Sequence, residues 1–464
     1  MMHGLHPAVL SLDVGTSGVR AALFAEDGNQ IEGAQAVTRR ELSGFAELDP
    51  DALVDEVKQT VDELLARFGQ VRVEATAISA FWHSLMGVDE NGAPTTPLLT
   101  WANTRAVQAA KELRAEFDEL AIHARTGCRF HPSYWPAKLR WLKTEHPERF
   151  NATRQWLGFA EYLCLRLFGK TAASVSMASA TGLFDQRACD WYFDLVEALG
   201  VSKNLFPQIV TDKELFVTGD GAANNIGGGC TTKENIALMI GTSGAMRVSY
   251  AGKPPAKLPP SLWSYRASRE RVVVGGALSD GGGLLQWMVQ SLNTGTDLHQ
   301  QLAALEPDAH GLTILPFWSG ERSTGWSTEA RGGIFGLRQQ TTTAEIIRAA
   351  LESIAYRFAL ISEALDEIAP GANIIATGNA LRSSPVWLQI IADVLGRPVM
   401  FGGTPEASIR GAALLALEAV GKIVNLDAVP VSIDEVFEPD MQRHARYREG
   451  LARQQELYER LFEA

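Results

Sequence analysis

Length, turn chemistry and apolar periodicity together read as an α/β chain folded in two halves. The chain has 464 residues, enough for two or three domains. The tetrapeptide Gly-Thr-Ser-Gly occurs at Gly15–Gly18 and again at Gly241–Gly244, almost half a chain apart. Helical segments with an apolar face alternate with short apolar runs of strand type, the pattern of helices layered on sheets.

The elements follow in order. Val9 to Val14 is an apolar run that predicts a buried strand, and Val19, Ala21 and Leu23 alternate beyond the first turn as a returning strand. Asp51 to Phe68 places Leu53, Val54, Val57, Val61, Leu64, Leu65 and Phe68 on one helical face, with Gly69 as the stop. Phe168-Gly169-Lys170-Thr171 has the end of a nucleotide-binding P-loop but not its start, since Cys164 stands where a glycine is needed; it predicts a helix terminus. The strand–turn–strand pattern then repeats with Ile236 to Ile240 before the second turn and Met246, Val248 and Tyr250 after it. Pro254 to Pro260 reads as a surface loop. Thr342 and Glu345 form a capping box that opens a long helix through Ile346, Ala350, Ile354 and Phe358. Ser384 before Pro385 starts another, which stops at Gly396.

Composition excludes several classes. Forty-two Lys plus Arg against 54 Asp plus Glu give a net charge of -12, a field that disfavours nucleic acid and anionic membrane as partners. The four cysteines (Cys128, Cys164, Cys189, Cys230) lie far apart without zinc spacing, which predicts reduced thiols used in packing. No apolar run reaches the length of a membrane span and no signal-peptide pattern opens the chain, so a cytoplasmic protein is expected. The glycines at 227–229 lack the three-glycine spacing of a dinucleotide fold.

Glycines at both ends of a hairpin turn leave its N–H groups unobstructed, and Thr and Ser add hydroxyl donors, so such a turn can hold phosphate oxygens. Small polar turns are common and either copy alone would carry little; two copies in matched strand contexts can grip one polyphosphate from both sides. They differ where Asp13 aligns with Met239, which leaves a carboxylate, a natural ligand for Mg²⁺ directly or through water, in the first half alone. In Thr218-Gly219-Asp220-Gly221, an acid stands between two glycines at the start of a short helix. An Asp so placed is commonly a cap, yet it is also expected to be exposed, held ionised by the helix dipole and open to a substrate hydroxyl. Trp82 and His83 follow a strand and, singly, are commoner as packing; Trp101, Asn103, Arg105, Arg125, His131, Tyr134 and Lys138 add a polar and aromatic set suited to a polyhydroxylated ligand.

These residues resemble the FGGY carbohydrate kinases, the family of glycerol kinase, xylulokinase and gluconokinase. The resemblance covers nearly the whole chain and is carried by LDVGTSGVRAALF (12–24), GDGAANNIGGG (219–229), MIGTSGAMRV (239–248), SGERSTGWSTEARGGIFGL (319–337), ATGNALRSSPVWLQIIADVLGRPV (376–399) and EASIRGAALLA (406–416). It implies two ribonuclease-H-like α/β domains of the actin and hexokinase superfamily around an interdomain cleft. The sugar-binding domain would be residues 1–230 and the nucleotide-binding domain 231–464, with a hinge near 230. By position in the motifs, Asp220 resembles the catalytic base, Asp13 the Mg²⁺ partner, and Gly15, Thr16, Ser17 and Arg20 with Gly241, Thr242 and Ser243 the phosphate-binding turns. Gly378 and Asn379 match the adenosine loop. ATP and Mg²⁺ are the implied cofactors, a small sugar or sugar acid the implied partner, and a homodimer an expected assembly.

LLTWANTRA (98–106) and RTGCRFHPSYWPAKLRWL (125–142) are most similar to the gluconokinase branch, which implies gluconate as the acceptor and 6-phosphogluconate as the product. The implied acceptor-binding set is Trp82, His83, Trp101, Arg105, Tyr134, Lys138 and Asp220. A carboxylate-bearing substrate calls for a cation in that pocket, with Arg105, Arg125 and Lys138 as candidates. The sequence departs from the family at Arg20 (usually Lys), Asn379 (usually Gly) and Trp82 (commonly Met). Two other readings stand beside this one: a kinase for a neutral ketose or polyol such as xylulose, ribulose, glycerol or erythritol, and a non-catalytic nucleotide switch of the same superfamily.

Overall fold

The first apolar run and its return form β1 (His6–Gly15) and β2 (Gly18–Phe24), joined by Thr16 and Ser17, and β3 (Gln30–Arg39) continues the antiparallel meander. The computed structural model describes residues 6–40, 46–69, 71–211, 213–294, 297–402 and 404–462. Helix α1 (Pro50–Arg67) starts where Asp49 accepts the N–H groups of Asp51 and Ala52, and buries Leu53, Val54, Val57 and Leu64. Beyond it β4 (Val71–Ala80) pairs parallel with β1, and β5 (Val217–Gly219) pairs parallel with β4, completing a five-stranded sheet. The short helix α2 (Asp220–Gly227) leaves directly from β5.

The second half repeats this plan. β6 (Asn235–Ile240) and β7 (Gly244–Ala251) flank the second Gly-Thr-Ser-Gly turn; β8 (Trp263–Arg266) and β9 (Arg271–Leu278) extend the antiparallel side. Helix α3 (Gly282–Ser291) follows β9, and α4 (Thr343–Asp366) opens with the capping box read from Thr342 and Glu345. β10 (Asn373–Thr377) and β11 (Val399–Gly402) add in parallel to β6, separated by α5 (Pro385–Leu395), which ends on left-handed Gly396. In both sheets the first strand pairs antiparallel on one side, in a run of three strands in the first sheet and four in the second, and is continued in parallel on the other, by β4 and β5 in one and by β10 and β11 in the other. The duplicated turn in the sequence is the visible trace of a duplicated fold.

The parallel ladders decide where the site lies. Asp13 of β1 is level with Ser79 of β4, and Ser79 with Thr218 of β5, so Asp13, Ser79 and Asp220 gather at the carboxyl ends of three parallel strands. In the second sheet Met239 is level with Thr377, which brings the Gly241 turn beside Gly378. Crevices at the carboxyl ends of parallel strands are where α/β sheets hold ligands.

The two halves are tied together by side chains such as Trp263, Tyr265 and Trp326, which join the core of the first half, and by a returning helix. Helix α6 (Ala407–Ala419) returns to the first sheet, where Ile409, Ala412, Ala413 and Ala416 pack on Val9, Phe24, Ala75 and Ala77, and Ser11 Oγ donates to the Ile409 carbonyl at 2.6 Å. Of the glycines at 227–229, Gly227 serves this contact: a Cβ there would stand 1.8 Å from the Ala407 carbonyl, so α2 and α6 touch backbone to backbone. The Phe168 segment ends a helix at left-handed Gly169, and the four cysteines are buried thiols. Among the described residues no helix is long and apolar enough to cross a membrane.

Candidate active site

Two connected spaces lie between the halves. A cleft of about 1000 Å³ is lined by Trp101, His131 and Ser133 from one side and Thr242, Asp280 and Trp318 from the other. A smaller cavity of about 80 Å³ shares Trp101 and Ser133 with it and is lined further by Trp82, His83, Tyr134, Asp220, Ser243, Arg247, Tyr265 and Arg322.

Asp220 is the first residue of α2, and one of its carboxylate oxygens accepts its neighbour's N–H, from Gly221, at 2.7 Å. The flanking glycines are a packing requirement. A Cβ on Gly219 would lie 1.9 Å from the Trp82 indole, and one on Gly221 2.5 Å from it. Trp82 is fixed against them by a bond from its indole N–H to the Ser176 carbonyl at 3.1 Å and by edge contacts to Trp263 and Tyr265. The exposed, ionised Asp expected from sequence is corrected here. Asp220 is partly buried, and desolvation pushes its pKa above the usual carboxylate range, while the charges of Arg247 and Arg322 pull it back. A carboxylate whose pKa is raised is a better proton acceptor than an ordinary one.

Asp13 is nearly enclosed. One oxygen accepts from Ser79 Oγ at 2.8 Å and the other lies 3.3 Å from Arg20. Burial lifts its pKa to about 6, with Asp220 and Glu406 contributing in the same direction. Arg20 is directly opposite Asp13 on β2 and also bonds Glu406 at 2.9 Å, so its charge faces two carboxylates. Gly15, Thr16 and Ser17 form the turn at the end of β1, braced by Arg40, whose side chain donates to the Thr16 carbonyl at 3.1 Å and whose N–H donates to the Ser17 carbonyl.

The second turn is set between both spaces: Thr242 lines the cleft and Ser243 lines the Asp220 cavity. Gly281, Gly282 and Gly283 dock on its carbonyls through backbone N–H groups, and Gly378, at φ 111, passes close to the Ile240 carbonyl. Asn379 begins the short helix Asn379–Arg382 on this edge. Glycine backbones thus converge on the turn, as binding of a nucleotide phosphate asks. Asp280, before those glycines, accepts the N–H and Oγ of Ser319 at 2.8 and 2.9 Å, and burial lifts it to about 6.

Of the acceptor residues read from the sequence, Trp82, His83, Trp101, Tyr134 and Asp220 meet in the cavity. His83 stays neutral: desolvation holds its pKa at about 3 and its Nδ1 lies 2.6 Å from the Ala180 carbonyl. Tyr134 and Tyr265 share a hydroxyl hydrogen bond of 2.5 Å. The three candidate cations do not line it. Lys138 is buried with its ammonium donating to the carbonyls of His83 and Thr100 at 2.6 and 2.9 Å. Arg105 pairs with Glu47 and stacks on Trp141, and Arg125 pairs with Asp185 at 2.6 Å. The cavity's cations are instead Arg247 of β7 and Arg322, which the sequence reading missed. Arg247 was legible only as an Arg inside an otherwise apolar strand, GAMRVSYA, and Arg322 only through its motif.

Comparison with known proteins agrees with this geometry. The profile of the FGGY family of carbohydrate kinases, N-terminal domain, matches residues 8–238, and that of the C-terminal domain matches residues 236–420. The gluconokinase of Bacillus subtilis (strain 168) is 29% identical, aligned over 92% of this chain and 91% of that protein. A gluconate kinase from Lactobacillus acidophilus superposes with a TM-score of 0.87 at 24% identity, covering 98% of each chain. A ligand-bound xylulose kinase from the same organism gives 0.89 at 25% identity, again over 98% of each. With matches to both domains of the family spanning residues 8–420, the chain belongs to the FGGY family of carbohydrate kinases, ATP-dependent phosphotransferases of the two-domain actin and hexokinase type.

Proposed function

We propose that this chain transfers the terminal phosphoryl group of ATP to a small sugar acid, gluconate, giving 6-phosphogluconate, with Asp220 as general base. The observation that carries the reading is that Asp220 and Ser243 line one cavity, so an acceptor hydroxyl beside the carboxylate also lies beside the phosphate turn. Asp220 takes the proton of that hydroxyl as its oxygen bonds to phosphorus, the bond to the bridging oxygen breaks, and ADP leaves. Trp82, His83, Trp101 and Tyr134 wall the acceptor and exclude water. In this reading the acceptor is held mainly by the first half and the nucleotide by the second, through Gly241, Thr242, Ser243, Gly378 and Asn379, with Gly15, Thr16 and Ser17 closing on the phosphates from the other side.

Asp13 is the residue that would hold Mg²⁺, directly or through its water. The fit is electrostatic: its carboxyl is buried with its pKa raised, short of positive charge despite Arg20, and a divalent cation supplies what is missing. Bound Mg²⁺ neutralises charge on the phosphate oxygens in the transition state. The identity of the acceptor rests on similarity to gluconokinases and on the two arginines in the cavity. A coupled assay of ADP release across gluconate, xylulose, ribulose, glycerol and erythritol tests it. Gluconate should give the highest kcat/KM; a preference for xylulose or a polyol would transfer the assignment to a neutral acceptor.

A further inference from the structure

The Asp220 cavity carries more positive charge than phosphoryl acceptance by a neutral sugar needs. Its lining has one carboxylate, Asp220, and two guanidinium groups, Arg247 and Arg322. His83 is neutral there, and the remaining walls are aromatic, hydroxylic or aliphatic.

The two cations differ in what already engages them. Arg247 donates from Nη2 to Asn224 Oδ1 at 3.0 Å, its Nη1 lies beside Gly221, and it is the strongest charge acting on Asp220. It belongs to the base. Arg322 donates from Nη2 to the Leu278 carbonyl at 2.8 Å, and its guanidinium carbon stands 4.9 Å from the centre of the Trp101 ring. Its Nε, like that of Arg247, is buried without a hydrogen-bond partner, and among the described residues neither guanidinium has a carboxylate within ion-pair distance; what distinguishes Arg322 is its stacking on Trp101. Asp220 and Asp280 act on its charge from beyond ion-pair distance, and a desolvated guanidinium without a directly bonded carboxylate is costly to keep in a folded protein. Stacking covers one face of the group and leaves the planar fork able to take a carboxylate in two parallel hydrogen bonds. Trp101 also lines the larger cleft, so Arg322 lies at the junction through which an acceptor passes.

From this geometry we propose that Arg322, held against Trp101, binds the carboxylate of a sugar-acid acceptor and sets the preference for acids over neutral polyols. The inference rests on the reading of the Asp220 cavity as the acceptor site. The same guanidinium could instead meet the phosphoryl group in transit, and the experiment separates the two. Gluconate and glucitol share a six-carbon chain and differ in carboxylate against CH₂OH. Binding of each to the full chain is measured by calorimetry, and kcat/KM with Mg-ATP by ADP release, for wild type, Arg322→Gln and Arg322→Lys, with a thermal melt of each protein.

Wild type should prefer gluconate, and Arg322→Gln should lower the gluconate-to-glucitol ratio by about 30-fold or more, in binding as in turnover. Arg322→Lys, which keeps the charge and loses the fork, should fall between; it carries the test if the Gln variant does not fold. An unchanged ratio with both acceptors impaired in parallel would assign Arg322 to the phosphoryl group or to the fold and overturn the proposal. So would a wild-type ratio near one. Failure of the functional reading has a different signature: aldonates bind, yet none is phosphorylated.

Discussion

Replacing Asp13 by Asn should stabilise the nucleotide-free protein at neutral and alkaline pH while it impairs catalysis. The native carboxyl titrates at about 6 against 3.8 for the ordinary side chain, because burial and the nearby Asp220 and Glu406 outweigh Ser79 and Arg20. The native state therefore holds this proton more tightly than the unfolded chain does, and stability falls as pH rises from about 4 to about 6. Above that window the ionised group costs about 3 kcal/mol, the equivalent of a shift of roughly two units. Asparagine is nearly isosteric, keeps an acceptor for Ser79 and cannot ionise. It loses the attraction of Arg20, so the net gain should be nearer 1 to 2 kcal/mol. The assay is thermal unfolding of both proteins from about pH 4.5 to 8 without nucleotide. The melting difference should grow in favour of the variant as pH rises towards about 6 and level off above it. A variant that is less stable by the same margin at every pH would refute the reasoning, since the buried charge would then carry no cost. Saturation with Mg-ATP should reverse the order, because the cation favours the ionised wild-type carboxylate.

Further outcomes follow from the same geometry. Arg247→Gln removes the largest charge holding Asp220 ionised, so the acid limb of kcat/KM should move to higher pH; an unmoved limb would separate Arg247 from the base. Gly219→Ala forces a Cβ into the Trp82 ring and should lower kcat by about 100-fold through displacement of Asp220, and pairing it with Trp82→Leu should recover part of that loss. Equal defects in the single and double variants would show that the clash is not the cause. Thr242→Val should weaken ATP by about tenfold and leave the acceptor KM within a factor of two, as read from initial-rate kinetics with each substrate varied.

Much of this site was visible in the sequence, and the residues that were not share a physical reason. The duplicated turns were legible because tight turns and flanking strands have local signatures; Asp220, whose Gly-Asp-Gly setting alone is commonly that of a cap, was legible through its nearness to the second turn and its place in the motif. The charge inside the cavity was not. In the strand GAMRVSYA, alternation puts Arg247 on the face opposite Met246, Val248 and Tyr250, a face that reads as solvent; the strand is buried on both faces, between antiparallel neighbours. Arg322 lies in an irregular loop without periodicity, and only the tertiary fold stacks it on Trp101. Lys138 failed in the opposite way. It lies on the apolar face of the helix Trp135–Glu145 with Trp135, Leu139 and Leu142, and a lysine in that phase is buried to bind carbonyls, not ligands. The return of α6 onto the first sheet was likewise invisible, since helical periodicity records that a face is covered without recording by what.

Proton removal in the proposed reaction turns on the carboxylate at 220, and Asp220→Asn measures it most directly when turnover and nucleotide affinity are read on the same preparation. The amide keeps the shape of the cavity and cannot accept the acceptor's proton, so kcat should fall by about 10² to 10⁴ while the Kd for Mg-ATP stays within about twofold. Turnover near the wild-type rate with a correctly folded variant would contradict the assignment of Asp220 as the base.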